Sequence, residues 1–144
     1  MVRPAPAVII HGIADARSAL APGLPVTLVS APGAALYAGA GWWVALMAAA
    51  RSEHPGRHFR DILDCGDAPG RAAEALRAGQ RCLVLVPVPP AGYERVRLMA
   101  VDLGAVLLPA MPAALDLARP AERRRLRGWL AAGAPHGDNE GGFR

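Results

Sequence analysis

The stretch Asp61 to Val86, DILDCGDAPGRAAEALRAGQRCLVLV, decides the fold. Asp61 to Cys65 is an apolar run of strand length. Gly66-Asp67-Ala68-Pro69 then starts a helix, with Asp67 as a good N-cap and Pro69 fitting the first turn. The helix runs to about Ala78, and Gly79 suits the position just past its end. Cys82 to Val86 is a second apolar run. Strand, helix and strand in so short a stretch make a βαβ unit, which requires parallel strands.

The same alternation extends in both directions. Ala7-Val8-Ile9-Ile10 and Val26-Thr27-Leu28-Val29 precede the unit, and Ala105-Val106-Leu107-Leu108 follows it. Ile13, Ala16, Arg17 and Leu20 have helical spacing between the first two runs. A helix from about Trp42 to Glu53 carries Trp43, Leu46, Met47 and Ala50 on one stripe. Pro89-Pro90 opens another, with Tyr93, Val96, Arg97, Ala100 and Leu103 in register and Gly104 at its end. Pro112 to Leu117 reads as an irregular crossing or a short helical turn, and a last helix runs from Pro120 to about Ala132.

Five strands alternating with helices give an α/β fold: a five-stranded, mostly parallel open sheet with helices on both faces. The expected strand order is the flavodoxin-like 2-1-3-4-5. The alternative is an open fragment of a (β/α) barrel, since five strands are too few to close one. Residues 1–132 make one domain, and the Gly-rich polar end, 133–144, is expected to be a disordered tail.

Composition narrows the function classes. The chain has 144 residues, 53 % hydrophobic, with a formal charge of +4. All basic residues other than histidine are arginine, and there is no lysine. Much of the charge surplus lies from Arg119 on, in Arg123-Arg124-Arg125 and Arg127. That stretch holds Trp129 but no interleaving of aromatic and basic residues, so it reads as a solvated helix face and not a nucleic-acid surface. No run is long and apolar enough to span a membrane. Met1 to Pro6 lead into the first strand without the apolar segment of a signal peptide. Cys65 and Cys82 are spaced like buried thiols, not like a disulfide framework or a zinc site. The expectation is a cytoplasmic protein without metal or cofactor.

Three places could carry chemistry. In the order 2-1-3-4-5 the crevice lies between the first and third strands, bringing His11 and Gly12 to Asp64, Cys65 and Asp67. A cysteine beside a histidine can act as nucleophile and base; the plain alternative is a buried thiol with Asp67 as a cap. The second place is the loop from Ser30 to Gly41, where Gly33, Gly39 and Gly41 sit between a strand and a helix and backbone amides can hold an anion. It lacks the third glycine of a dinucleotide fingerprint and the lysine of a phosphate-binding loop. The third is Trp42-Trp43. If Trp43 enters the core, Trp42 lies at its margin, and with Leu36 and Tyr37 it forms a candidate partner surface.

Known activities on this plan find no support. A receiver domain needs acidic residues after the first strand and a lysine after the fifth, where His11 and Pro109 stand. A flavodoxin needs a hydroxyl-rich loop where this chain has His11-Gly12-Ile13-Ala14. A hydrolase elbow needs a glycine two residues before the nucleophile, where Leu63 stands. Ser30-Ala31-Pro32-Gly33, Gly39-Ala40-Gly41-Trp42 and Asp64-Cys65-Gly66-Asp67-Ala68-Pro69-Gly70 resemble segments of small, uncharacterised α/β proteins predicted from GC-rich proteobacterial genomes. The resemblance covers Val8 to Leu117 and carries no activity, but it implies that these loops act together. The expected function is a non-catalytic α/β module that self-associates or binds a protein partner. The alternative is a small-molecule or anion site at the strand C-terminal edge.

Overall fold

The computed structural model describes residues 4–133. Among them are six strands: β1 (Ala7–Ile9), β2 (Thr27–Val29), β3 (Arg60–Asp64), β4 (Cys82–Val84), β5 (Val106–Leu108) and β6 (Ala114–Asp116). Seven helices connect and follow them: α1 (Ile13–Leu20), α2 (Ala34–Tyr37), α3 (Ala40–Glu53), α4 (Pro69–Arg77), α5 (Pro90–Leu103), α6 (Pro120–Arg123) and α7 (Leu126–Ala132). All strand pairs are parallel, and the fold is α/β with one open sheet.

The strand count and order correct the sequence expectation. The order is β5-β4-β3-β2-β1-β6, not 2-1-3-4-5. The sixth strand lies within Pro112 to Leu117, which reads from sequence as a crossing. Strands β1 to β5 are neighbours in the order in which they occur in the chain, the winding that (β/α) barrels also use. Then β6 returns to the far side of β1.

The helices share one face of the sheet, which corrects the expectation of helices on both. Val8, Ile10, Leu28, Leu63, Leu83, Leu85, Leu115 and Leu117 form one apolar cluster with residues from six helices, among them Ala16, Trp43, Ala72, Val96 and Leu130. Side chains alternate along a strand, so the intervening residues face the other way. Ala7, Ile9, Val29, Ile62 and Val84 make a second cluster, joined by Ala31, Cys82, Leu108, Met111 and Ala114. No helix residue belongs to it.

Chain length shows why the second face needs no helices. From Leu108 to Ala114 six residue steps reach at most about 20–22 Å. Five strand spacings in a flat sheet need about 24 Å, and the chain must also return down the length of a strand. The sheet therefore curls until its edges approach, and its concave face packs on itself. Leucine fills the roomy convex side, while smaller and β-branched residues dominate the crowded concave side.

Local boundaries differ in places. The N-cap of α4 is Ala68, not Asp67, which is exposed. Helix α3 starts at Ala40, and the short α2 precedes it. The last helix breaks between Arg123 and Leu126. Of the expected tail only Gly133, which ends α7, is described; the remainder lies outside the described residues. At the start of β3, Asp61 accepts hydrogen bonds from Trp43 Nε1 (2.8 Å), Gln80 Nε2 (2.8 Å) and Arg51 (2.9 Å). It thereby satisfies the polar atom of the buried Trp43 and ties α3 to the sheet.

Candidate functional site

The loops that follow the strands gather at the C-terminal edge of the sheet, and they divide into two groups. The first lies beyond β2, β3 and β4. Ser30 is buried directly after β2, and its Oγ accepts a hydrogen bond from the Asp64 N–H at 2.9 Å. The Asp64 carboxylate accepts from the Gly33 N–H at 2.8 Å and from the Gly66 N–H at 2.9 Å. Ser30, Gly33 and Asp64 thus converge, and each carboxylate oxygen holds one of the two loops. Gly33 has φ 70° and Gly66 φ 57°, a left-handed backbone that favours glycine. At Gly66 a side chain would also meet Leu36 Cδ1 at 3.4 Å.

Cys65 is completely buried in the main core. Burial, reinforced by the charge of Asp64, pushes its thiol up to about 12. A thiol so protected stays protonated near neutral pH and is not a nucleophile there. His11 does not face it, because β2 stands between β1 and β3.

The outer surface of this first group is apolar. Leu36 (42 % exposed), Tyr37 (71 %) and Trp42 (38 %) lie on α2 and the first turn of α3. Trp43 is fully buried and Trp42 tilts against it, with ring centroids 5.8 Å apart. Val86 and Val88, beyond β4, are exposed as well. The Gly66 carbonyl accepts from the Val86 N–H at 2.8 Å, and a Cβ at Gly66 would lie 3.4 Å from Leu36 Cδ1, so the two apolar groups flank the Gly66 turn. Sequence reasoning found Leu36, Tyr37 and Trp42 but missed Val86 and Val88. The available signal was charge: none lies between Arg17 and Arg51, nor between Arg81 and Glu94. Gly39, at φ 87°, is the N-cap of α3 and Gly41 lies in its first turn, so both shape this rim.

The second group lies beyond β1 and β6. Here β6 lies beside β1 at one edge of the sheet order, and the loops after the two strands form a crevice. His11 Nε2 is 2.7 Å from Asp116 Oδ1. Asp116 also accepts from the Ala118 N–H at 2.9 Å, and its own N–H donates to Glu122 at 2.8 Å. The His11 N–H donates to Asp15 at 2.9 Å, and Arg123 pairs with the same Asp15 carboxylate. Burial pushes the Asp116 carboxyl up, but the hydrogen bonds from His11 and Ala118 and the charges of His11 and Arg119 outweigh it. The carboxyl therefore sits below the usual aspartate range. Sequence reasoning named His11 and Gly12 but gave them the wrong partners, since Asp116 stands on the strand it did not count.

Among the described residues no cluster of three or more His, Cys, Asp or Glu side chains has the geometry to hold a metal ion. No described helix is long and apolar enough to cross a membrane. An open groove at the opposite edge is lined by Pro4, Pro25, Thr27, His58, Phe59 and Arg60, and none of the sequence candidates borders it. No family model matches the chain, and no curated protein is significantly similar to it.

Proposed function

We propose that this chain is a non-catalytic α/β module that associates with protein through the apolar rim beyond β2, β3 and β4, its first partner being a second copy of itself. The observation that carries this reading is the row of exposed Leu36, Tyr37, Trp42, Val86 and Val88 on one rim. Aromatic residues in such a row are the usual anchors of an interface. The chemistry beneath supports binding over catalysis: Asp64 ties two loops through backbone amides and Cys65 is a buried thiol that stays protonated near neutral pH. Charge favours a like partner. The chain carries +4, with much of the surplus from Arg119 on, so that basic stretch repels its own copy, whereas an uncharged rim can face its own image across a two-fold axis. The free thiols of Cys65 and Cys82 support a cytoplasmic location.

Light scattering across a concentration series tests the reading. Wild type should dimerise as concentration rises. Tyr37→Asp should remain monomeric with its thermal stability changed by no more than about 0.5 kcal/mol, the usual range at an exposed position. A wild-type protein that stays monomeric at the highest concentration would overturn self-association, as would a Tyr37→Asp variant that dimerises equally well.

A further inference from the structure

We infer that the groove at the N-terminal edge of the sheet is a second, separate site, one that takes a small organic anion: an apolar body carrying a phosphate or a carboxylate. The lead-ins to three strands form it. Pro4 and Ala5 precede β1, Pro25 and Val26 precede β2, and His58 and Phe59 precede β3. Its volume of about 560 Å³ falls within the range of about 300–1,000 Å³ usual for small-molecule sites. It lies at the other ends of the strands from the apolar rim, so a ligand here leaves that rim free.

The charge in the groove has one sign. Arg60 and His58 line the same cavity, and none of its described lining residues is acidic. Two neighbouring arginines are committed elsewhere. Arg57 donates to the Leu20 and Leu24 carbonyls, and Arg51 pairs with Asp61 and donates to the Phe59 carbonyl. Among the described residues the Arg60 and His58 side chains have no hydrogen-bond or ion-pair partner. The acid next in sequence, Asp61, holds Trp43 and Gln80, whereas Arg60 lies on the other side of the strand with Ile62. The Thr27 hydroxyl gives its proton to the Ala5 carbonyl. The donors left for a ligand are therefore a guanidinium fork and an imidazole, which carries an N–H in every tautomer. Together they fit an oxyanion.

The remaining walls are apolar. Pro4, Pro25, Val26 and Phe59 border the groove, and the Arg51 guanidinium lies over the Phe59 ring, 4.4 Å from its centroid. An uncharged ligand would leave Arg60 unused, and a bare inorganic anion would leave these walls in water. An anion on an apolar body uses both.

Nuclear magnetic resonance of the full chain with 15N-labelled histidine tests the inference without any assay of activity. Phenyl phosphate and benzoate are titrated separately at constant pH and ionic strength. Either should shift the His58 ring signals saturably and leave those of His11 and His54 in place, and the tighter of the two names the anion. Benzyl alcohol, a body without charge, and inorganic phosphate, a charge without the body, should each bind about ten-fold more weakly. Arg60→Gln removes no internal bond and should weaken anion binding about ten-fold. Arg95→Gln, which removes an exposed charge from α5, should change nothing. The absence of a saturable His58 shift with both anions, equal affinity for benzyl alcohol, or a loss in Arg95→Gln that matches Arg60→Gln would each overturn the assignment.

Discussion

Cys65 shows how a residue can be legible in type and opaque in environment. Its place at the end of a strand is plain from the apolar run before it. Whether it faces a histidine or the core depends on strand order, which a run of five residues does not encode. In the fold it is fully buried, and burial first and the Asp64 charge second push its thiol up to about 12. In the unfolded chain the same thiol ionises near 9. The folded value is raised, so the contribution to stability is complete below about pH 9. It then falls by about 1.4 kcal/mol per pH unit as pH rises and is gone by about 12. Cys65→Ala should cost about 1 kcal/mol at pH 8, the scale of one buried methylene-sized group. Urea titrations of both proteins between pH 8 and 10.5 should show the two curves converge and then cross, since wild type loses about 2 kcal/mol by pH 10.5 and the variant does not. Curves that stay parallel would mean that the native thiol ionises as freely as the unfolded one. Native Cys65 should also react slowly with iodoacetamide near neutral pH.

At the scale of elements, glycine and proline punctuation carried most of the legible signal. Gly79 and Gly104 adopt positive φ at helix ends, and Pro69 and Pro90 open α4 and α5. Three elements escaped notice for physical reasons. Helix α2 is a single turn, too short for a periodic pattern. Strand β6 has three residues, of which only Leu115 is fully buried in the core, although Ala114-Leu115-Asp116-Leu117 does alternate. The break in the last helix falls in Arg124-Arg125, where no proline or glycine marks it. One packing detail is invisible in sequence. A Cβ on Gly92 would lie 2.6 Å from Pro69 Cγ, so the first turns of α4 and α5 touch through that glycine. Gly92→Ala gains about 1 kcal/mol of helix propensity but meets a rigid ring, with an overpacking cost of about 1–3 kcal/mol. The net effect should be a lower melting temperature. Gly70→Ala, which would project into open space on α4, should be neutral or stabilising. If the two substitutions shift the melting temperature alike, the α4–α5 contact is looser than described.

At the scale of the molecule, the parallel α/β class followed from alternation alone, but the winding did not. The order 2-1-3-4-5 and the observed order use the same units; they differ in which face of the sheet receives each helix. A subtler pattern distinguishes them. Leu28, Leu63, Leu83, Leu107 and Leu115 point toward the helices beside Val8 and Ile10, while Ala7, Ile9, Val29, Ile62, Cys82, Val84 and Ala114 point away, with Leu108 the one strand leucine among them. A sheet covered on both faces has no reason to sort leucine from smaller residues, whereas a curled one does. Because that sorting went unread, His11 was matched with Cys65 and its true partner Asp116 was missed. The curl itself makes a prediction at Met111. The link from Leu108 to Ala114 is too short to pass around a flat sheet, and Met111 within it packs on the concave cluster. Met111 is half-buried, so Met111→Ala should cost about 1–2 kcal/mol, below the range for a fully buried methionine. Val101→Ala, on the exposed face of α5, should cost almost nothing and serves as the comparison. On a flat sheet the link would hang in solvent and the two substitutions would be equally silent. A difference in urea midpoint with an unchanged slope would place the cost in the closed concave core, and a midpoint that does not move would argue that the edges of the sheet stand apart.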